Sequence, residues 1–462
     1  MVVSFIVSLI SLLHGLFYQL LKTLCRLPSF QKLWTIDLRT FRFYTIPIEH
    51  NAVRATSFQR ISPLGITASY QDHFAKGLMV LDPGFRNTAV RESQITYIDG
   101  NRGTLQYRQY SIGYLFTHHD YEDVVHLLVW GKLPTPDQKL KFRARLAEQM
   151  VPDKSVISVV QAFSPDAPAF LMIAAGLSAW VAANPETVPT YAGHSLYDSD
   201  PQAVDSGVYR TLAAFATVVS LTYCHQQGIP FVPNADPTLS GVENVLVMMG
   251  RVDRYGIPDK QAVYIFNKLW ILFADHEMTN STATFLNSSS TLSDPISSIV
   301  ASVASANGPL HAGAIDLAYK SFKQLKNKQG VRSHIADVQQ KKCRLMGVGH
   351  RVYRTVDPRI QYLRSLMEEL GPKVEENPLL EVALEIDKIV RTDEYFLKRR
   401  LSINADLYSS FVYAGLGFDP RIFTPFAMTA RTAGVLAHWR ESMSQPPELW
   451  RPRQIYTGMV AA

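Results

Sequence analysis

The sequence predicts a mostly α-helical protein with a small β element between about residues 35 and 110. Two observations carry this. After residue 110 and nearly to the end, apolar residues recur three and four apart in segments such as YEDVVHLLVWGKL, FLMIAAGLSAWVAA, VYRTLAAFATVVSLTYC and QAVYIFNKLWILFADHEM. That is the period of helices with one buried face. Nowhere does a strand–helix alternation repeat, so a parallel-sheet architecture is not expected.

The elements follow in order. Residues 34–48 (WTIDLRTFRFYTIPI) alternate apolar and polar, as short strands do. Residues 83–110 are rich in Gly, Tyr and turn pairs, and Asp99-Gly100 with Arg102-Gly103 reads as a hairpin. Residues 184–206 read as a polar loop dense in Pro, Asp and Ser. The 462 residues suggest two or three domains. At 47% hydrophobic and 19% charged the chain is too apolar for disorder. Its three cysteines, Cys25, Cys224 and Cys343, show no zinc or Cys-x-x-Cys spacing and exclude a disulfide scaffold. A reduced, intracellular setting is the expectation. The net charge of +6 is spread out, with no run of five Lys or Arg, so no nucleic-acid partner is expected. A basic surface also suits an enzyme of anionic substrates, because positive clefts steer carboxylates and phosphates.

The N-terminus stands apart. Residues 2–21 are almost continuously apolar, and no acid precedes Asp37. The exceptions, Ser4, Ser8, Ser11, Gly15, Gln19, Lys22 and Arg26, are three or four apart and form one stripe on a helix. About twenty apolar residues are enough to span a bilayer. The cations follow the apolar run, which weakens a secretory-signal reading, and early arginines of a mitochondrial presequence are missing. Three readings of residues 1–33 stay open: membrane anchoring or surface association, a targeting presequence, or the plain one, an extra helix on the body or a mis-set start codon.

Four C-terminal segments hold His, Asp and Arg in settings that packing does not explain: DHE at 275–277, NGPLHAG at 307–313, GVGHRVYRTVDPR at 347–359 and NADLY at 404–408. A lone histidine at a helix end is usually a cap or a satisfied core residue, and Gly349 or Pro358 alone would be loop punctuation. His276, His311 and His350 are not accompanied by metal-ligand spacing, so no metal is expected.

Taken together, these segments resemble the citrate synthase family. The family's signature runs Gly-x-Gly-His, a short spacer, then Asp-Pro-Arg, and residues 347–359 match it in full. GPLHAGA, NADLYS, DHEMTNST and RPRQIYTG resemble the family's other site segments, and the resemblance covers about residues 34–462. It implies an α-helical homodimer. A large domain (34–307 and 406–462) would flank a small mobile domain (308–405), with the site between them. It also implies roles. Asp406 would take a proton from the carbon beside an acyl-CoA thioester, and His311 would hydrogen-bond the thioester oxygen. His350 would polarise the ketone of oxaloacetate, and His276 would help hold it. Arg359, Arg431 and Arg451 would grip its carboxylates, Arg451 crossing from the other subunit, and Arg354 would face CoA phosphate. No cofactor is implied, because acyl-CoA is a substrate. The physical chemistry agrees: such a proton transfer needs a positioned carboxylate and a donor for the developing oxyanion. A dicarboxylate needs several guanidinium groups.

Three departures concern the acyl group. The family usually places Phe four residues before the arginine matching Arg431; here it is Ala427, with Phe426 beside it to refill part of the space. The family's Gly-Gly after the first histidine is Ala312-Gly313, and the Gly four residues after the aspartate is Ser410. An opened pocket would favour a longer acyl chain by about 0.8 kcal/mol per buried methylene. The expectation is an alkylcitrate synthase-like enzyme of secondary metabolism, with an acyl-donor synthase as a partner. The alternatives are an ordinary citrate or 2-methylcitrate synthase, and a non-catalytic acyl-binding or scaffold member. The location would be intracellular, mitochondrial or membrane-associated.

Overall fold

The computed structural model describes residues 31–62 and 77–459, with Gln19. The rest of the apolar leader and Cys25 lie outside the described residues. No described helix is long and apolar enough to cross a membrane. The chain divides into two units, residues 1–92 with 453–462, and residues 93–452.

In the first unit, β1 (Lys32–Asp37) pairs antiparallel with β2 (Arg42–Pro47), Lys32 opposite Pro47 and Asp37 opposite Arg42. This is the alternating segment of the sequence. Its turn is closed by Asp37, whose carboxylate accepts the Arg39 backbone N–H at 3.0 Å and the Arg39 Nε at 2.9 Å.

The second unit opens with β3 (Thr96–Asp99), β4 (Thr104–Tyr107) and β5 (Tyr110–Ser111), an antiparallel meander. The expected Gly-containing hairpin joins β3 and β4. Asp99 Oδ1 accepts the N–H groups of Asn101 and Arg102, both at 3.0 Å. The tip is also a contact point: a Cβ on Gly100 would lie 2.2 Å from the Val352 carbonyl oxygen.

From residue 112 the unit is helical. Ten helices position the site: α1 (Tyr121–Trp130), α2 (Ala169–Ala182), α3 (Pro201–Gln227), α4 (Lys260–Phe273), α5 (Asn280–Ser289), α6 (Pro295–Ala306), α7 (Ala314–Leu325), α8 (Ile360–Leu370), α9 (Asp406–Gly415) and α10 (Phe423–Met443). The polar loop expected over 184–206 ends earlier, because Pro201 starts α3 rather than breaking it. Asp200 caps that helix, accepting the N–H groups of Gln202 and Ala203 at 2.9 and 3.1 Å, and proline tolerates the first helical turn. Within 184–200 lie two short helical turns, Pro185–Thr187 and Pro189–Ala192.

The centre of this unit is α10. Every residue from Phe423 to Trp439 is buried, as expected of a helix enclosed on all sides. It packs against α1, α3, α4 and α5. The approach of α4 depends on Gly434, whose N–H lies 3.0 Å from the Ala274 carbonyl oxygen. A Cβ there would sit 2.2 Å from Asp275 Oδ1 and 2.5 Å from Ala274 O. Overpacking of this kind typically costs about 1–3 kcal/mol. Gly434→Ala should therefore lower unfolding free energy by on the order of 2 kcal/mol in a denaturant titration, with a change below 0.5 kcal/mol contradicting the packing described.

Candidate active site

The functional side chains sit where helices begin or end. His276 lies between α4 and α5, His311 between α6 and α7, and His350 in the segment before α8, while Asp406 is the first residue of α9. Two loops carrying them are tied edge to edge. Val348 and Ile403 form an antiparallel bridge. The Gly349 N–H donates to Ser402 O at 2.8 Å and the Asn404 N–H to Gly347 O at 3.0 Å. The Asn404 side chain donates to Gly349 O at 2.7 Å. Gly347 and Gly349 hold φ of +77° and +85°, which side chains with a Cβ adopt at a cost. A Cβ on Gly347 would also meet Leu407 at 3.0 Å.

Asp357 completes the tie. Its carboxylate binds Arg359 twice, Nε to Oδ1 at 3.0 Å and Nη2 to Oδ2 at 2.7 Å, and accepts the Ala405 N–H at 3.2 Å. Arg359 is buried, its guanidinium 5.3 Å from the Phe273 ring centroid. Arg431, also buried, donates from Nε to the Phe273 carbonyl at 2.7 Å. Both arginines therefore converge on the last residue of α4. The remaining nitrogens of Arg431 take no hydrogen-bond partner among the described residues. A buried guanidinium with free donors is prepared for an anion.

The two histidines nearest this charge are neutral. The His276 and His350 ring centroids are 5.1 Å apart. Burial, then the Arg359 charge and His350, holds His276 well below its ordinary range. Burial, then Arg359, lowers His350 to about 4. The Nδ1 of His350 lies 3.0 Å from the Val352 N–H and 3.2 Å from the Tyr353 N–H. Accepting there forces its one proton onto Nε2. His276 Nε2 meets the Tyr353 hydroxyl at 3.1 Å.

His311 carries the opposite arrangement. Its Nε2 lies 2.7 Å from Ser281 Oγ and 3.3 Å from the Ser281 N–H. An Nε2 that accepts leaves the proton on Nδ1. Burial, then the Arg431 charge, lowers His311 to about 4. Two neutral histidines thus present single N–H donors, one from Nε2 and one from Nδ1.

Asp406 moves the other way. Burial raises its carboxyl to about 6, with Asp357 adding to the shift and Arg359 and Arg431 opposing it. A base poised near neutrality is matched to proton abstraction.

The loop holding His276 is fixed by the buried Asp275. Burial pushes Asp275 up, but the His438 charge and the hydrogen bond to it outweigh this and leave it at about 2. Thr96 and the Glu277 N–H also donate to its Oδ2, at 2.5 and 3.1 Å. The Tyr107 hydroxyl, from β4, donates toward the Asp275 carbonyl at 3.0 Å. The small meander thus holds the loop that carries His276.

Not every expected residue joins the cluster. Arg354 is exposed, its backbone N–H donating to Gly100 O at 2.8 Å. Arg451 is exposed too, beyond Trp450, which is held by Asn287 and Ser290 at 3.1 Å each. Among the residues expected at an acyl pocket, Ala312 meets α10 directly, because the Thr424 hydroxyl is 3.2 Å from its carbonyl oxygen. Ala427 follows Thr424 by three residues and precedes Arg431 by four, so all three share one helix face. Ser410 is buried one turn after Asp406, and its hydroxyl has no hydrogen-bond partner. Phe426 corrects an expectation: it does not refill the space beside Ala427. It is fully buried in an aromatic cluster, 4.9 Å from Phe418, 5.3 Å from Phe266 and 5.5 Å from Tyr413 between centroids. Adjacent helix residues point about 100° apart. Sequence reasoning gave no role to Ser281, Tyr353 or Asp357, although each stands within a quoted motif. Among the described residues no three His, Cys, Asp or Glu side chains gather as a metal cluster.

Residues 84–453 match the family of the citrate synthase C-terminal domain. A citrate synthase-like protein of Aspergillus oryzae is 42% identical over 93% of this chain and 96% of its own length. An alkylcitrate synthase of Talaromyces stipitatus is 37% identical over 92% of this chain and 94% of its own. Among solved structures, citrate synthase of the archaeon Thermoplasma acidophilum, in a ternary complex with carboxymethyl coenzyme A and oxaloacetate, superimposes with a TM-score of 0.73 at 27% identity, covering 82% of this chain and 96% of that one. The fold and site therefore define a condensing enzyme of the citrate synthase type. The chain belongs to the citrate synthase family.

The shifts set the pH dependence. A base at Asp406 acts only when ionised, so kcat/KM should rise with pH through about 6, while His311 and His350 stay neutral above about 4. A carboxyl raised in the folded state contributes stability below its unfolded pKa that is lost as pH rises through about 6. Asp406→Asn should therefore stabilise the protein at pH 8 by on the order of 2–3 kcal/mol and leave it little changed at pH 4. Equal stability changes at both pH values would contradict a raised carboxyl.

Proposed function

We propose that this enzyme condenses oxaloacetate with an acyl-CoA longer than acetyl, releasing CoA and an alkylcitrate. The observation that carries this reading is Ala427. It occupies the α10 face one turn from Arg431, and Phe426 is turned into the aromatic cluster. A similar protein, 37% identical over 92% of this chain, is an alkylcitrate synthase.

The steps follow from the side chains. Arg359, Arg431 and His276 receive the oxaloacetate carboxylates, with Arg451 supplied by a second subunit and Arg354 on CoA phosphate. The Asp406 carboxylate takes a proton from the carbon beside the thioester. The His311 Nδ1–H donates to the thioester oxygen as negative charge develops there. The His350 Nε2–H polarises the ketone, and the enolate carbon attacks it. Water then cleaves the thioester of the product, releasing CoA. Both donors are neutral imidazoles, so neither must lose a proton first. Residues 308–405 act as the small domain, whose closure keeps water out until the carbon–carbon bond has formed.

The test follows CoA release with oxaloacetate and a series of donors from acetyl-CoA to decanoyl-CoA. The optimum should lie beyond propionyl, and Ala427→Phe should shift it toward shorter chains. An acetyl or propionyl optimum would return the protein to ordinary citrate or 2-methylcitrate synthesis. Asp406→Asn should reduce turnover by about 10²–10⁴-fold while oxaloacetate still binds by calorimetry. Unchanged turnover would remove Asp406 from the role of base.

A further inference from the structure

We propose that Asp316 is a positioning residue: through the Thr424 hydroxyl it fixes the turn that carries His311. Asp316 lies in the first turn of α7, five residues after His311. Its Oδ1 accepts the Thr424 hydroxyl at 2.6 Å and the Thr424 N–H at 3.3 Å. Thr424 is fully buried in the first turn of α10. Its oxygen also lies 3.2 Å from the carbonyl of Ala312, the residue after His311.

One hydroxyl proton cannot serve two acceptors equally. The shorter contact gives it to Asp316, and the two bonds from Thr424 then hold the start of α10 against the start of α7. The His311 turn is continuous with that helix start: the Ala314 N–H donates to His311 O at 2.9 Å and the Ile315 N–H to Ala312 O at 3.0 Å. Arg431 lies seven residues after Thr424, two turns along the same face of α10. Asp316 therefore sets the spacing between the His311 donor and the arginine that receives substrate.

The steps proposed above use no charge from Asp316. Burial raises its carboxyl to about 6 against the Thr424 hydrogen bonds, so the residue carries a desolvation cost that neither packing nor proton transfer explains. A misplacement of about 1 Å in such a site can reduce turnover by about 10²-fold, which gives this clamp a catalytic consequence without contact to substrate.

This inference rests on the condensation reading, and the test separates the two. The full chain is assayed as wild type, Asp316→Asn, Asp316→Leu, Thr424→Ser and Thr424→Val, with the best donor of the series. Asp316→Asn keeps an acceptor oxygen and Thr424→Ser keeps the hydroxyl, so both should hold kcat within about threefold. Asp316→Leu and Thr424→Val should each lower kcat by about tenfold or more, with the KM for oxaloacetate within about twofold. The double variant should be no worse than the lower single, as for two halves of one interaction. Should Asp316→Leu fail to fold, the nearly isosteric Thr424→Val carries the same comparison. Wild-type kcat in Thr424→Val would overturn the inference alone. So would a loss that the serine variant does not rescue, or one matched by an equal rise in oxaloacetate KM. A wild-type chain that turns over no donor would instead overturn the condensation reading.

Discussion

The site depends on one buried ion pair. Arg359 is taken out of water beneath Phe273, and its charge is met by two bonds to Asp357. Removing one partner of such a pair typically costs about 3–5 kcal/mol, because the other is left buried and unbalanced. Here the same carboxylate also accepts the Ala405 N–H, so the pair joins the arginine loop to the residue preceding Asp406. A single side chain therefore sets how Arg359 and the start of the Asp406 helix are placed relative to each other.

The field of that pair has a second effect. His276 is buried and His350 half-buried beside Arg359, and a further positive charge there is unfavourable. Both stay neutral, and a neutral imidazole has one N–H. For His350 two backbone amides occupy Nδ1; for His311 Ser281 occupies Nε2. The direction of each donor is thus decided by backbone and serine contacts. Asp406 faces the same arginines, and its raised carboxyl suits the base proposed above.

Much of this was legible in the sequence. The periodicity after residue 110 gave the helices, the Gly pairs gave the β3–β4 hairpin, and the 347–359 motif located His350, Asp357 and Arg359 together. Other features were not. Proline at 201 was read as part of a loop because the same residue both breaks and starts helices, and only the Asp200 cap distinguishes them. Periodicity also says little about α10, which is buried on every side, so Phe426 and Ala427 could not be assigned to opposite neighbours. Ser281 gave no signal: a serine five residues after His276 becomes a partner of His311 only when α5 and the 307–313 turn meet. Pairings between distant segments are outside the reach of local pattern.

Two neutral histidines of opposite tautomer are thus set before substrate arrives. ¹⁵N spectra of the histidine-labelled enzyme at pH 7 read this out, with His311→Gln and His350→Gln giving the assignments. The structure predicts a protonated Nδ1 and bare Nε2 for His311, and the reverse for His350. An imidazolium signal from either residue, or the same tautomer in both, would contradict it.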